Sequence, residues 1–147
     1  MGLLLASLLS FSCQDESKAQ SSSDTPEAVK KTFQAKYPGE NDPDWRKDDN
    51  GNFESHFKID GVKYRADFAP DGKWIETETS IDKDELPKAV KDAIKEKYDD
   101  EEITEIEKVM HHSKGTFYDV EFKQKRKNHD VEFNEAGKII GETNKKD

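Results

Sequence analysis

The chain has 147 residues, 31% of them hydrophobic and 39% charged, and a formal net charge of −9. That length holds one ordinary domain or two very small units, and the acidic balance argues against nucleic acid, whose phosphates need a basic face. The composition lies close to the disordered regime, yet aromatics reach 10% and recur at regular places, as a two-layer protein with one wet sheet face requires.

The N-terminus reads as an address. Gly2 to Phe11 is apolar through Leu3, Leu4, Leu5, Leu8, Leu9 and Phe11, far short of the roughly 20 residues of a membrane span. It has the character of a secretory signal core, so residues 1–12 are taken as a signal segment. No basic region precedes it, which places the true start upstream or Met1 inside the signal. Cys13 is the sole cysteine and cannot close an internal disulfide. Its surroundings resemble a bacterial lipoprotein signal, in which the cysteine is diacylated and becomes the mature N-terminus. Ser12 supplies the small residue before it, Ser10 stands where leucine is usual, and Gln14-Asp15-Glu16 resembles the acidic stretch of surface-exposed lipoproteins. A conventional cut after Ala19, with Cys13 discarded, is the other reading. Residues 13–24, with Ser21, Ser22 and Ser23, form a lipidated flexible tether under the first.

Beyond the tether the chain repeats itself. Pro26-Glu27-Ala28-Val29-Lys30 returns as Pro87-Lys88-Ala89-Val90-Lys91, and Lys36-Tyr37 as Lys97-Tyr98, both at a shift of 61. Farther along, Phe57 matches Phe122, Phe68 matches Phe133, and Gly72-Lys73 matches Gly137-Lys138, at a shift of 65. Two units are expected, residues 25–82 and 83–147. Each opens with a helix. Thr25 is the expected cap of the first, with Pro26 at its first position and Glu27 in its first turn. Val29, Phe33 and Tyr37 form its core-facing stripe, and Pro38-Gly39 stops it. The second presents Val90, Ile94 and Tyr98, with Asp84 as its cap.

Strands follow each helix. Asn50-Gly51, Asp60-Gly61 and Asp71-Gly72 are hairpin signals. Between them Phe53, Phe57 and Ile59 alternate with Glu54, His56 and Lys58, and Val62, Tyr64, Ala66 and Phe68 with Lys63, Arg65 and Asp67. Tyr118, Val120 and Phe122 alternate with Asp119, Glu121 and Lys123, and Val131 and Phe133 with Asp130 and Glu132. Period two with one apolar face predicts antiparallel sheet, covered on one side. The expected fold is α+β: a tandem helix-plus-four-strand repeat, together a sheet of up to eight strands with helices on one face. Trp45 and Trp74 are expected on the first and fourth strands, filling core.

The helix ending in Lys36-Tyr37-Pro38, Asp44-Trp45, the Phe53–Phe57 strand, Asp71-Gly72-Lys73-Trp74 and Leu86-Pro87 together resemble the PepSY-like proteins. These are small periplasmic or lipoprotein domains of Gram-negative bacteria, similar in fold to beta-lactamase-inhibitor proteins. The resemblance spans Pro26 to Gly141. It implies a tandem helix-plus-sheet fold with no catalytic residues to carry over, and binding through the open sheet face, with restraint of a peptidase or another envelope enzyme as one use.

The residues themselves supply no reactive constellation. There is no Gly-rich phosphate loop, HExxH, CxxC or GxSxG, and the serines cluster in the tether. Asp42, Asp44, Asp48, Asp49 and Asn50 offer oxygen donors, but their spacing fails the EF-hand pattern. The expectation is therefore a non-enzymatic envelope protein without cofactor, monomeric, anchored to the outer membrane by Cys13 or else soluble in the periplasm. It would bind a protein or peptide on the wet face around Phe117, His56 and Arg65. Phe117 is out of phase with Tyr118, Val120 and Phe122, which makes it an exposed aromatic on that face. The rival reading is a metal or small-ligand carrier using His111, His112 and His129. It has an internal difficulty, because His111 and His112 are adjacent on a strand and point to opposite faces.

Overall fold

The computed structural model describes residues 24–124 and 128–144. The signal segment and Cys13 lie outside the described residues, as does all of the tether except Asp24. Ten elements matter: α1 (Glu27–Lys36), β1 (Asp44–Lys47), β2 (Phe53–Ile59), β3 (Val62–Phe68), β4 (Trp74–Ser80), α2 (Lys88–Lys97), β5 (Ile103–His111), β6 (Gly115–Phe122), β7 (His129–Asn134) and β8 (Ile139–Asn144). The strands form one eight-stranded antiparallel sheet in sequence order, β1 to β8. Each strand lies beside its chain neighbour, and the β4–β5 connection carries α2. Asp60 and Gly61, both at positive φ (51° and 83°), make the tight turn between β2 and β3.

Both helices lie on one face of this sheet. Cross-strand register puts Ala66, Thr77, Met110 and Thr116 in one row on that face. Beneath α1, Val29 and Phe33 pack on Trp45, Phe53, Phe57, Ala66 and Phe68. Phe33 is the hub, meeting Phe57 at 5.2 Å and Trp45 at 5.4 Å, both edge to face, the arrangement ring quadrupoles favour. Beneath α2, Leu86, Val90 and Ile94 pack on Ile106, Tyr118, Val120, Phe122, Val131 and Phe133. Tyr98 stacks on Phe122 at 4.6 Å. Trp45 is 4% exposed, as core filling requires. Trp74 packs half-buried beside the first cluster, under the Lys36 ammonium.

Between the two clusters the helix-side face is polar. Thr77, fully buried on β4, takes the Trp74 indole N–H (2.9 Å) and shares a short hydrogen bond with the Tyr37 hydroxyl. The β4–β5 ladder, Thr77 opposite Met110, joins the two regions.

The helix starts differ from expectation. Pro26 and Pro87 themselves occupy the cap positions, in extended backbone (ψ 145° in both), and no side chain caps either helix. Thr25 is instead buried at 3% exposure with its hydroxyl unpaired. Asp84 lies inside a single 3-10 turn, Lys83–Glu85, where the Asp82 N–H is bonded by the Glu85 carboxylate at 2.8 Å. A proline has no N–H to satisfy and holds φ near the helical value, so it can open a helix without a side-chain cap.

Candidate functional site

The other sheet face is covered by no described element. Strand alternation places upon it Glu54 and His56 of β2, Lys63, Arg65 and Asp67 of β3, Glu76 and Glu78 of β4, and Glu105, Glu107, Val109 and His111 of β5. Phe117, Asp119 and Glu121 of β6, and Asp130, Glu132 and Asn134 of β7, continue it.

Arg65 stands on this face directly opposite His56 and Glu78. It is not a free guanidinium. Nη2 bonds Glu78 at 2.5 Å and lies 3.9 Å from Glu76, and Nε lies 3.5 Å from Asp67. His56 is half-buried, with Nε2 3.4 Å from Glu54. Both expected contact residues share the face, but each is already engaged by a carboxylate.

Phe117 corrects the sequence expectation. It does point to the uncovered face, between Val109 on β5 and Asn134 on β7, yet it is only 3% exposed. Val109, at 2%, packs opposite it, and the Lys114 ammonium lies 5.1 Å from its ring. A long cationic side chain can lay its methylenes over an aromatic while its head stays wet. Phe117 is thus a small satellite core and not an exposed anchor.

The histidines of the rival reading do not converge. His111 lies opposite Gly115 and His129 opposite Phe122, at the two ends of β6, roughly 23 Å apart at strand rise. His129 belongs to the helix-side face, 8% exposed, with neither ring nitrogen bonded. His112 has left the strand, so its ring stacks on that of His111 (4.7 Å) instead of facing the opposite way. The His111 Nδ1 accepts from the Ser113 and Lys114 N–H groups and so closes the β5–β6 turn. Among the described residues no group of three His, Cys, Asp or Glu side chains is arranged to hold a metal ion.

What the face does gather is carboxylate. Glu105, Glu121 and Asp130 form one cross-strand row, and Glu107, Asp119 and Glu132 the next. Beside them, bounded by Arg65 and Glu78, is a cavity of about 270 Å³ lined by Glu105, Glu107, Asp119, Glu121 and Asp130. Glu121 accepts from Thr104 (2.5 Å) and Asn128 (2.7 Å), and Glu132 meets Lys114 at 3.3 Å. The Asp119 Oδ1 is shielded from water and has no hydrogen-bond donor. Burial, then the charges of Asp130 and Glu132, raise Asp119 to about 6. Burial raises Asp67 to about 7 despite Arg65. Glu78 and Glu107 are likewise pushed up by burial and by neighbouring carboxylates.

In the sequence these acids stand singly, alternating with apolar residues along β6 and β7. Their convergence was readable in one way: the Ser113-Lys114-Gly115 turn sets the β5–β6 register, and that register aligns Glu105 with Glu121 and Glu107 with Asp119.

The chain is thus α+β, with two helices on one side of an eight-stranded antiparallel sheet and an acidic face that the described residues leave open. The chain belongs to the family described as "Putative beta-lactamase-inhibitor-like, PepSY-like", whose model matches residues 52–141. Solved structures share the fold. A DUF2874 family protein from Bacteroides ovatus superposes with a TM-score of 0.73 at 21% identity, over 80% of this chain and 86% of that one. One from Bacteroides eggerthii, described as among "putative periplasmic proteins", gives 0.73 at 20% identity over 81% and 88%. A BLIP-like protein from Bacteroides fragilis gives 0.70 at 22% identity over 80% and 84%. No curated protein matches the chain.

Proposed function

We propose that this chain is an exported, non-enzymatic binding module of the bacterial envelope that meets a protein or peptide partner on its uncovered sheet face. The observation that carries the reading is the sheet itself. Two helices cover one face, and the described residues leave the other open across eight strands. A wet antiparallel face is ordinary in itself, but this one is crowded with side chains held in place by one another. Restraint of a peptidase or another envelope enzyme is the narrower form of the reading, supported by the family's inhibitor-like description alone. Export is supported by the apolar segment before Cys13, with acylation at that cysteine and attachment to the outer membrane as its chemical form. The Bacteroides eggerthii neighbour's periplasmic description agrees with an envelope location.

The scaffold is read as a duplicated unit, residues 25–82 and 83–147. Equivalent cross-strand pairs support this: Phe53–Phe68 corresponds to Tyr118–Phe133, and Phe57–Tyr64 to Phe122–His129. Gly72 approaches the Ala28 carbonyl of α1 as Gly137 approaches the Ala89 carbonyl of α2.

Site-specific photo-crosslinking in the native host tests the function. A photoreactive residue at His56 or Glu76, on the open face, is expected to trap one discrete heavier adduct. The same residue at Lys31 or Lys95, on the helices, is expected to trap none. Equal labelling from both sides, or none from the open face, would overturn the assignment.

A further inference from the structure

Within that binding reading, we propose that the partner presents a basic segment, with an arginine or lysine docking among Glu105, Glu107, Asp119, Glu121 and Asp130 on β5, β6 and β7. The argument begins with what the sheet tolerates. Like charges directly opposite one another on antiparallel strands are destabilising. Here two successive rows, Glu105–Glu121–Asp130 and Glu107–Asp119–Glu132, set carboxylate against carboxylate at every step. No basic residue occupies any of the six positions.

Nothing in the fold demands this block, since the same strands place their core residues on the other face. Among the described residues, two basic side chains are shown reaching its margins. Arg65 is turned to Glu78, Glu76 and Asp67 at one margin, and Lys114 reaches Glu132 at another. Between them the Asp119 Oδ1 is buried and lacks a donor. A buried acceptor without a donor is costly, and a guanidinium or ammonium entering the cavity of about 270 Å³ beside it supplies that donor. Charge complementarity thus selects a cationic partner over an acidic or apolar one.

The same crowding gives the docking event a chemical signature. Burial and neighbouring carboxylates raise Glu107 and Asp119 within the cavity, Asp119 to about 6, and raise Glu78 at its margin. An arriving cation favours their ionised forms, so binding expels protons to the buffer.

Isothermal titration of the purified full chain with a hexa-arginine peptide at pH 6.5, in two buffers of different ionisation enthalpy, tests this. Hexa-glutamate is the control peptide. Binding that weakens with salt and releases protons is expected, with no binding of hexa-glutamate. The Glu107→Gln/Asp119→Asn double variant should weaken binding at least tenfold and reduce the proton release. A charge-matched double variant on the helices, Glu27→Gln/Asp92→Asn, should change affinity less than twofold. Equal loss from both double variants would mean general attraction to a chain of charge −9, and would overturn the proposal, as would no binding at all. Should the face double variant fail to fold, Asp119→Asn alone must still weaken binding and reduce the proton release. Loss of hexa-arginine binding alongside intact open-face crosslinks would sink the basic partner and leave the binding module standing.

Discussion

At the scale of single residues, the demands of the fold are sharpest at two glycines. Gly72 (φ 88°) and Gly137 (φ 76°) sit in the turns before β4 and β8, pressed against the starts of the helices. A Cβ on Gly72 would lie 2.7 Å from the Ala28 carbonyl oxygen, and one on Gly137 would lie 2.3 Å from that of Ala89. Gly115 has the same φ of 76° but open space around it. The comparison separates backbone strain from collision. Gly115→Ala should cost about 1 kcal/mol, the left-handed penalty alone. Gly137→Ala should cost at least about 3 kcal/mol, because the helix must also shift from a close-packed core. Urea unfolding of the two variants decides it, and equal midpoints would contradict the reading. The recurrence of Gly-Lys at 72 and 137 is plain in the sequence, but its cause is a tertiary contact that no local pattern encodes. Phe117 shows the reverse. Its face was legible from strand phase, whereas its burial was not, because that depends on Val109 across the ladder and on where Lys114 lays its side chain.

At the scale of elements, both helices were legible from their stripes, Val29–Phe33 and Val90–Ile94, since an i, i+4 pattern has one way to meet a sheet. Their starts were misread because a preceding Thr or Asp is the commoner cap, and here the prolines take that position. Val29 and Val90 are fully buried in separate clusters that share no side chain, with polar Thr77 between them. Each Val→Ala change should therefore cost about 2 kcal/mol. The double variant should cost their sum to within about 0.5 kcal/mol, as for distant sites with no common partner. Chemical denaturation of the two singles and the double measures this. A coupling above 1 kcal/mol would mean that the β4–β5 ladder transmits packing strain between the two regions.

At the scale of the whole molecule, the acidic face makes stability depend on pH in an unusual direction. Carboxylates that are hydrogen-bonded or paired in the folded state usually titrate low, and such proteins lose stability as acid protonates them. Asp48 is of that kind, since hydrogen bonds from Asn52 and Asn50 outweigh its desolvation and lower its pKa. Asp67 and Asp119 are the opposite, raised by burial to about 7 and about 6. Between about pH 4 and pH 7 the folded chain thus binds more protons than the unfolded chain, so the slope of stability against pH is negative. The favourable contribution of the protonated forms is complete below the unfolded carboxylate range and is lost as pH rises through 6 and 7. At 1.36 kcal/mol per pKa unit the two shifts set an upper bound of several kcal/mol, and solvent screening, strongest at the partly exposed Asp119, reduces the expected fall to about 2 kcal/mol. Unfolding midpoints should therefore be higher at pH 5 than at pH 8, and added salt should narrow the difference by screening the repulsion. Asp119→Asn should flatten the profile between pH 5 and 7, because an amide neither titrates nor repels Asp130 and Glu132. A profile that rises toward pH 8, unchanged by that substitution, would mean that Asp119 is ionised throughout, with its charge met by a donor on the same face.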